Sequence, residues 1–543
     1  MYRDLEHLLA RFHTRDLQRL ISPELQRDLE GVSETSDRQS NEWLAKCVIA
    51  SQGTGLLRNR NARKGLFRLL PGPVLVEAAE DLTGNSFEKP EDNALALSRL
   101  RWAPGSAAVA LLAEHFSIPF SFLPHSSIAP PTVLPLEVRQ PLPSLHPHQV
   151  EVRKLLEQAL RNGEKALLVQ MPTGSGKTRT ALEALVGVWG SDLKRGSLVW
   201  LAHAEELCEQ AAESVSRIWT EKARAHARLV RFFSDHEPPP YAVPGSLFVG
   251  SLQKVYSRIG TDSSLVDALK AAARVVVIDE AHRALAPSFR SVIESLTQEG
   301  ATLVGLSATP GRGVDKDREN RELSNLFGNR LISPRSEEGL IERLQEAGIL
   351  ARLRRRLIET GIEVHAQERE IESVRLGFDY GSVVLRTLSK NQARNRLLTE
   401  IVKTEVQKKR PTIVFACTVE HARMLSTALN LDGYSAAYVD SEMDREDRRY
   451  AIEQFRDGRL QVLFNFGVLT TGFDAPSTRT VVVARPTTSA VLYGQMVGRA
   501  LRGPKMGGGE EAWVIDVSDN LSRFGGVSGV YDAFDRFWGS GNA

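Results

Sequence analysis

Three short stretches carry side chains suited to phosphate chemistry. In "MPTGSGKT", residues 171–178, Gly174 and Gly176 can take backbone conformations closed to other residues. Backbone N–H groups could then turn toward phosphate oxygens. Lys177 would reach the β- and γ-phosphates, and Thr178 would offer its hydroxyl to Mg²⁺. Thr173 and Ser175 complete the candidate loop. In "RVVVIDEAH", residues 274–282, an apolar run ends in two adjacent acids. Asp279 can hold the water shell of Mg²⁺, and Glu280 can polarise an attacking water. "QMVGRALR" supplies Gln495, Arg499 and Arg502. A γ-phosphoryl in transition spreads charge over its oxygens, and a guanidinium facing it across a cleft can neutralise that charge. The expected ligands are therefore a nucleoside triphosphate and Mg²⁺.

Each stretch also has a plainer reading. The strict phosphate-loop pattern wants glycine where Met171 stands, so residues 171–178 could be a glycine-rich turn before a surface helix. Two acids at a strand end are commonly just solvated, and a basic helix is commonly just a surface. The elements decide between them. "ALLVQ" reads as a strand, "MPTGSGKT" as a turn and "RTALEALVGVW" as an amphipathic helix, the context a phosphate loop needs. The order Gly-Ser-Gly-Lys-Thr, then Asp-Glu-Ala-His, then "GLSATP" is far more specific than any one part.

The chain has 543 residues, a 42% hydrophobic and 25% charged composition, and net charge +2. That is ordinary globular composition, long enough for three or four domains. It is not strongly basic, so a nucleic-acid partner must be held by a local groove. Cys47, Cys208 and Cys417 lie far apart, which fits neither a disulfide framework nor a zinc site and suggests a reducing, cytoplasmic setting. The start "MYRDLEHLLARF" lacks the apolar core of a signal peptide, and no apolar run is long enough to span a membrane.

Residues 1–118 read as a helical domain, with "LEHLLARFHTRDLQRLI" and "SAAVALLAEHF" as helices. Eight prolines between 119 and 147 suggest an extended linker over 119–143. From 144 to 345, "ALLVQ", "SLVWLA", "SLFVGS", "RVVVIDE" and "TLVGLSA" look like buried parallel strands alternating with helices. From 346 to 538 the alternation resumes with "TIVFA", "AAYVD", "QVLFNF" and "TVVVARP". The expected fold class is α/β: two tandem parallel-sheet lobes behind a mainly helical N-terminal domain.

These ordered motifs resemble superfamily 2 helicases with a DEAH box, over about residues 144–520, which implies that both parallel-sheet lobes are RecA-like. That family's phosphate loop often reads x-P-T-G-S-G-K-T, so Met171 suits it. The stretches "ARPTTSAVLYGQMVGRALR" and "LSKNQARNRLLTEIV" look most like the branch holding the XPB-type and RadD-type helicases and the motors of type III restriction enzymes. The resemblance implies that Gln149 of "HPHQ" reads the adenine edge and that Ser307 and Thr309 of "SAT" couple hydrolysis to lobe movement. It implies that Gly472 and Asp474 of "TTGFDAP" sense the nucleotide from the second lobe.

It also implies nucleic-acid contacts from strand-end loops: His203 in "LAHAEEL", Ser251 and Gln253 in "VGSLQK", Thr418 in "FACTVEHA", and Arg312 after "SATPG". Small hydroxyl and amide groups suit phosphate contact without base reading. Each is equally well an ordinary polar loop residue. Two basic runs stay open. "RLRRRL", 352–357, is a basic exposed face near the lobe junction or a solvated helix face. "LLRNRNARKGLFRLL", with Arg58, Arg60, Arg63, Lys64 and Arg68, lines a DNA path, docks a partner or is solvated. The expected function is an ATP-dependent helicase or translocase, with DNA favoured by resemblance, in repair or antiphage defence. The alternatives are an ATP-gated clamp, a motor subunit of a multi-protein restriction or defence complex, and an RNA helicase.

Overall fold

The computed structural model describes residues 3–30, 40–124, 131–136, 143–189, 196–222, 227–261, 263–311, 317–334, 340–358, 360, 379–469, 475–487 and 489–517. Gly472, Asp474 and Arg312 lie outside the described residues.

Two sheets carry the architecture. The first lobe holds β1 (Val133–Leu136), β2 (Ala166–Gln170), β3 (Ser197–Ala202), β4 (Ala227–Phe232), β5 (Ser246–Ser251), β6 (Ala273–Asp279), β7 (Thr302–Ser307) and β8 (Leu331–Ile332), in the order β1-β4-β5-β3-β6-β7-β2-β8. All neighbours are parallel except β1 with β4. The central strands are apolar on both faces because helices cover both sides. The order sets β6, β7 and β2 side by side. The three motifs that follow these strands, Asp279–His282, Ser307–Thr309 and the 171–178 loop, therefore emerge at one edge, where open α/β sheets bind ligands.

The second lobe holds β9 (Arg352–Ile358), β10 (Thr412–Phe415), β11 (Ala436–Val439), β12 (Val462–Asn465), β13 (Thr480–Val483) and β14 (Glu511–Val517), all parallel, in the order β11-β12-β10-β13-β14-β9.

Eight α-helices are described between Arg3 and His115, and "LEHLLARFHTRDLQRLI" is two of them, Arg3–Ala10 and Thr14–Leu20. Their core is continuous with one face of the second lobe: Leu44 and Val48 bury together with Leu425 and Leu429. Polar contacts seal the seam. Arg423 Nε donates to the Ser51 carbonyl at 3.3 Å, and Arg58 meets Asp444, Glu446 and Asp447 at 3.1, 3.0 and 2.8 Å.

Three expectations change. The proline-rich stretch 119–143 is more than a connector, because Val133–Leu136 is an edge strand antiparallel to β4; proline is tolerated there since an edge leaves one row of N–H groups unused. "RLRRRL" is not a solvated helix face but edge strand β9, which keeps its basic side chains largely exposed, with Arg355 drawn onto buried Asp516 at 2.7 Å. The arginines of "LLRNRNARKGLFRLL" are largely structural. Buried Arg63 donates to the carbonyls of Leu57, Arg58 and Ser98, each at 2.9 Å, and stacks over Trp102; Arg68 pairs with Asp16 at 3.1 Å. The partner that Arg58 docks is the chain's own second lobe.

The three cysteines are buried and free, as expected; burial pushes the Cys47 thiol up to about 12. Among the described residues no helix is long and apolar enough to cross a membrane.

Candidate active site at the lobe interface

The phosphate loop turns on two glycines. Gly174 has φ +83° and Gly176 φ +89°, and a Cβ on Gly176 would sit 2.1 Å from Gln149 Nε2. Neither position accepts a side chain without strain. Met171 needs no such freedom. Its side chain is fully buried beneath the loop and its N–H donates to the Ser307 carbonyl at 3.2 Å, which pins the loop to β7. Helix Lys177–Trp189 begins at the lysine, so its N-terminal dipole points into the loop, as an anion site requires.

Lys177 Nζ lies 3.9 Å from Asp279 Oδ1 and 3.5 Å from Glu280 Oε1. All three are nearly out of water. Burial pushes Asp279 up to about 6, with Lys177 opposing. Burial also raises Glu280, but the facing Lys177 ammonium and the His282 hydrogen bond outweigh it, so Glu280 is held below the usual carboxylate range. Glu280 sits in the left-handed region at φ 52°, ψ 51°. A non-glycine residue there costs about 1–3 kcal/mol and persists only where the surroundings impose it. The turn aims the Glu280 carboxylate at Lys177 while its own N–H donates to Asp279 Oδ1 at 2.9 Å.

Sequence reasoning missed the role of His282. Its Nδ1 is 3.3 Å from Glu280 Oε2 and 3.5 Å from Ser307 Oγ, and its Nε2 is 3.5 Å from Gln495 Nε2 in the second lobe. Burial lowers the His282 pKa, so the ring is neutral. An amide NH₂ can only donate, so Nε2 accepts and Nδ1 carries the proton toward Glu280. Ser307 Oγ donates to the Thr309 carbonyl at 2.6 Å and accepts from the Thr309 N–H at 3.1 Å. Glu280, His282, Ser307, Thr309 and Gln495 thus form one buried network spanning both lobes. The signal was present in "DEAH", but nothing local to it pointed at residue 495.

The second lobe touches the loop directly. A Cβ on Gly498 would meet Thr173 Cβ at 2.7 Å, and one on Gly174 would meet Arg502 Cγ at 3.3 Å. Arg502 is therefore packed on the loop's rim, where burial and nearby Arg456 bring its guanidinium down to about 10; it stays cationic at neutral pH. Arg499 Nε donates to the Gln495 carbonyl at 3.3 Å and remains half-buried.

Gln149 is placed on the loop with its amide engaged inside the chain. Nε2 donates to the Ser175 carbonyl at 2.9 Å, and Oε1 accepts from the His146 N–H at 2.9 Å. His148 Nε2 lies 3.0 Å from the same carbonyl. The "HPHQ" segment braces the phosphate loop in this conformation.

The loop residues expected on nucleic acid are spread over the strand ends. His203 lies close enough to Arg283, Glu280 and His282 to feel their charges. Burial first, then Arg283, brings it down to about 3, so it is a neutral ring beside the acids. Ser251 Oγ donates to Gln253 Oε1 at 3.0 Å, with Gln253 exposed. Thr418 Oγ accepts from the His421 N–H at 3.1 Å and caps helix Val419–Leu431. None of these joins the buried network except His203, through charge.

Thr178 and Asp279 flank Lys177 at the edge where β2 and β6 end. A hydroxyl and a carboxylate are the hard oxygen donors that Mg²⁺ takes, and two ligands with the rest water is its usual protein share. The residues present fit that ion.

Residues 142–312 match the family described as "Type III restriction enzyme, res subunit", and residues 393–504 match "Helicase conserved C-terminal domain". The IRC3 protein of Saccharomyces cerevisiae, named for an ATP-dependent helicase, is 25% identical over 376 residues, 66% of this chain and 50% of that one. The type I restriction enzyme EcoAI endonuclease subunit of Escherichia coli is 24% identical over 389 residues, 65% of this chain and 43% of that one. The chain thus spans half or less of the length of these curated relatives. Among solved structures, a type I restriction HsdR-subunit fragment from Vibrio vulnificus YJ016 overlays with a TM-score of 0.48 at 21% identity, covering 69% of this chain and 64% of that one.

Proposed function

We propose that the chain is an ATP-dependent superfamily 2 helicase or translocase, similar to restriction-enzyme motors, that hydrolyses ATP to move along or open DNA. The observation that carries this reading is the meeting of four separate motifs at one lobe interface: the 171–178 loop, Asp279–His282, Ser307–Thr309 and Gln495–Arg502. A structural loop and a solvated acid pair have no reason to share a buried network with the second lobe.

In this reading Lys177 leaves the acids to hold the β- and γ-phosphates. Bound Mg²⁺, held by Thr178 and Asp279, supplies charge neutralisation there. Glu280 polarises the attacking water, with His282 fixing its carboxylate. Arg499 and Arg502 stabilise charge on the transferring phosphoryl group from across the cleft, a contribution worth about 10³–10⁵ in rate for such arginines. Gln149 turns from the Ser175 carbonyl to read the base, while Gly472 and Asp474 contact the nucleotide from the second lobe. Loss of the γ-phosphate removes the anion that Arg499 and Arg502 share with Lys177, so hydrolysis loosens the lobes.

His203, Ser251, Gln253, Arg312 and Thr418 form the backbone grip. The relative named as a restriction endonuclease subunit supports DNA as the track and a larger assembly as the setting. The test is ATP turnover by the full chain alone and with single-stranded DNA, duplex DNA, forked DNA or RNA. Severalfold stimulation by a DNA form is expected. Stimulation by RNA alone would overturn the DNA assignment, and turnover unaffected by Glu280→Gln would overturn the site.

A further inference from the structure

The segment that carries Gln495, Arg499 and Arg502 is tied at two places to the chain that enters the second lobe. The first tie is main chain. The connector after helix Leu340–Glu346 runs beside the arginine segment: Ala351 N–H donates to the Leu501 carbonyl at 2.8 Å, Gly503 N–H to Ile349 at 2.9 Å and Lys505 N–H to Gly348 at 3.0 Å. Leu350 and Arg502 form an antiparallel bridge. The approach is close enough that a Cβ on Gly503 would lie 2.5 Å from the Gly348 oxygen. The second tie is a side-chain clamp. Asp516 on β14 is fully buried, and its Oδ2 accepts from Tyr493 Oη at 2.9 Å and from Arg355 Nε at 2.7 Å. Tyr493 lies on helix Ala490–Val497, two residues before Gln495, and Arg355 lies on β9, the strand into which the connector leads.

A buried carboxylate needs compensation, and structural packing alone would favour an apolar residue at position 516. Here the carboxylate joins the first strand of the lobe to the helix whose far end faces the phosphate loop. We propose that Arg355, Asp516 and Tyr493 are positioning residues that hold Gln495, Arg499 and Arg502 in register with the inter-lobe connector, so that lobe closure delivers the arginines to the γ-phosphate. The proposal rests on reading the lobe interface as an ATP-hydrolysing site. It adds three residues outside the four motifs that meet at the lobe interface.

The test uses Tyr493→Phe, which removes one hydroxyl and no ring, together with Arg355→Lys and Arg355→Met in the full chain. Tyr493→Phe and Arg355→Met are expected to lower kcat for ATP about tenfold, the scale of small misplacements at a reacting centre. KM should stay within about twofold, and Arg355→Lys should recover part of the loss. In an Arg502→Ala background Tyr493→Phe should add little, because both act through the same group. Without nucleotide, amide exchange at Ala351 and Gly503 should quicken in Tyr493→Phe while the unfolding midpoint holds. Unchanged kcat and exchange in Tyr493→Phe, while Glu280→Gln and Arg502→Ala still lower turnover to a measurable residual rate, would overturn this inference and leave the site intact. A loss in Tyr493→Phe that adds fully to Arg502→Ala would also overturn it. Normal turnover in Glu280→Gln and Arg502→Ala would instead overturn the underlying site.

Discussion

His282 Nε2 of the first lobe lies 3.5 Å from Gln495 Nε2 of the second, while the same ring reaches Glu280 through Nδ1 at 3.3 Å. One neutral imidazole thus joins Glu280, the proposed water-polarising group, to the second lobe. Its tautomer makes the link directional. If Gln495 moves away, Nε2 loses its donor and the Glu280 carboxylate alone is left to hold the proton on Nδ1.

His282→Ala and Gln495→Ala should each lower ATP turnover about tenfold to a hundredfold through misplacement of Glu280. The two should be strongly non-additive, with a coupling of about 0.5–3 kcal/mol in a double-mutant cycle. Steady-state hydrolysis by the two single variants and the double variant measures it. Simple addition of the two effects would show that the ring and the amide act independently.

Glu280→Gln keeps the shape of the turn and removes the base. Turnover should fall by about 10²–10⁴. ATP binding should persist or tighten, since Lys177 then loses one of the two carboxylates that hold it at 3.9 and 3.5 Å and is released toward phosphate. Equilibrium binding of a fluorescent ATP analogue, set beside hydrolysis, separates the two effects. Equal loss of binding and turnover would instead mean that Glu280 shapes the pocket.

In the N-terminal region, burial separates two arginines that look alike in sequence. Arg63→Ala strips donors from three carbonyls, two of them in buried contacts, and should cost roughly 3 kcal/mol. Arg58→Ala breaks three ion pairs, but the Arg58 side chain is 40% exposed, so each pair contributes at most about 1 kcal/mol. Denaturant midpoints of the two variants should therefore differ clearly, and the Arg58 effect should shrink further in high salt.

The motif-bearing strands were legible because β2, β3, β5, β6 and β7 are buried on both faces and read as apolar runs. Four of the five missed strands sit where that signal fails, while the fifth, β14, is a buried run interrupted by Asp516. β9 is an arginine-rich edge, β1 contains Pro135, β4 carries Arg228 and Arg231, and β8 has two residues. The site divides in the same way. The phosphate loop and the acid pair are local, so spacing revealed them. The His282–Gln495 and Arg355–Asp516 contacts join residues 213 and 161 positions apart, and no spacing encodes them. Gln149 and His203 show a further limit: motif position suggested an adenine contact for the first and a nucleic-acid contact for the second, whereas burial and partners show one bracing the loop and the other beside the acids.

Away from the nucleotide, the lobes meet through a second set of charges at the start of helix Arg445–Arg456. Arg445 reaches Glu205 and Asp235 of the first lobe at 3.2 and 3.1 Å, and Arg448 reaches Glu206 at 3.1 Å. Their exposure ranks them. The Arg448 side chain is 12% exposed and Glu206 25%, whereas Arg445 is 49% exposed and Asp235 97%. Water and salt screen the second pair far more than the first. Arg448→Glu places like charges together in the more buried setting and should open the nucleotide-free lobes, read as a larger radius of gyration in solution scattering. Arg445→Glu should do so only weakly at physiological salt and not at all near 1 M, where the Debye length falls to about 3 Å. Equal opening by both variants would mean that Glu205, the less exposed of the two acids Arg445 meets, carries as much of the closed state as Glu206.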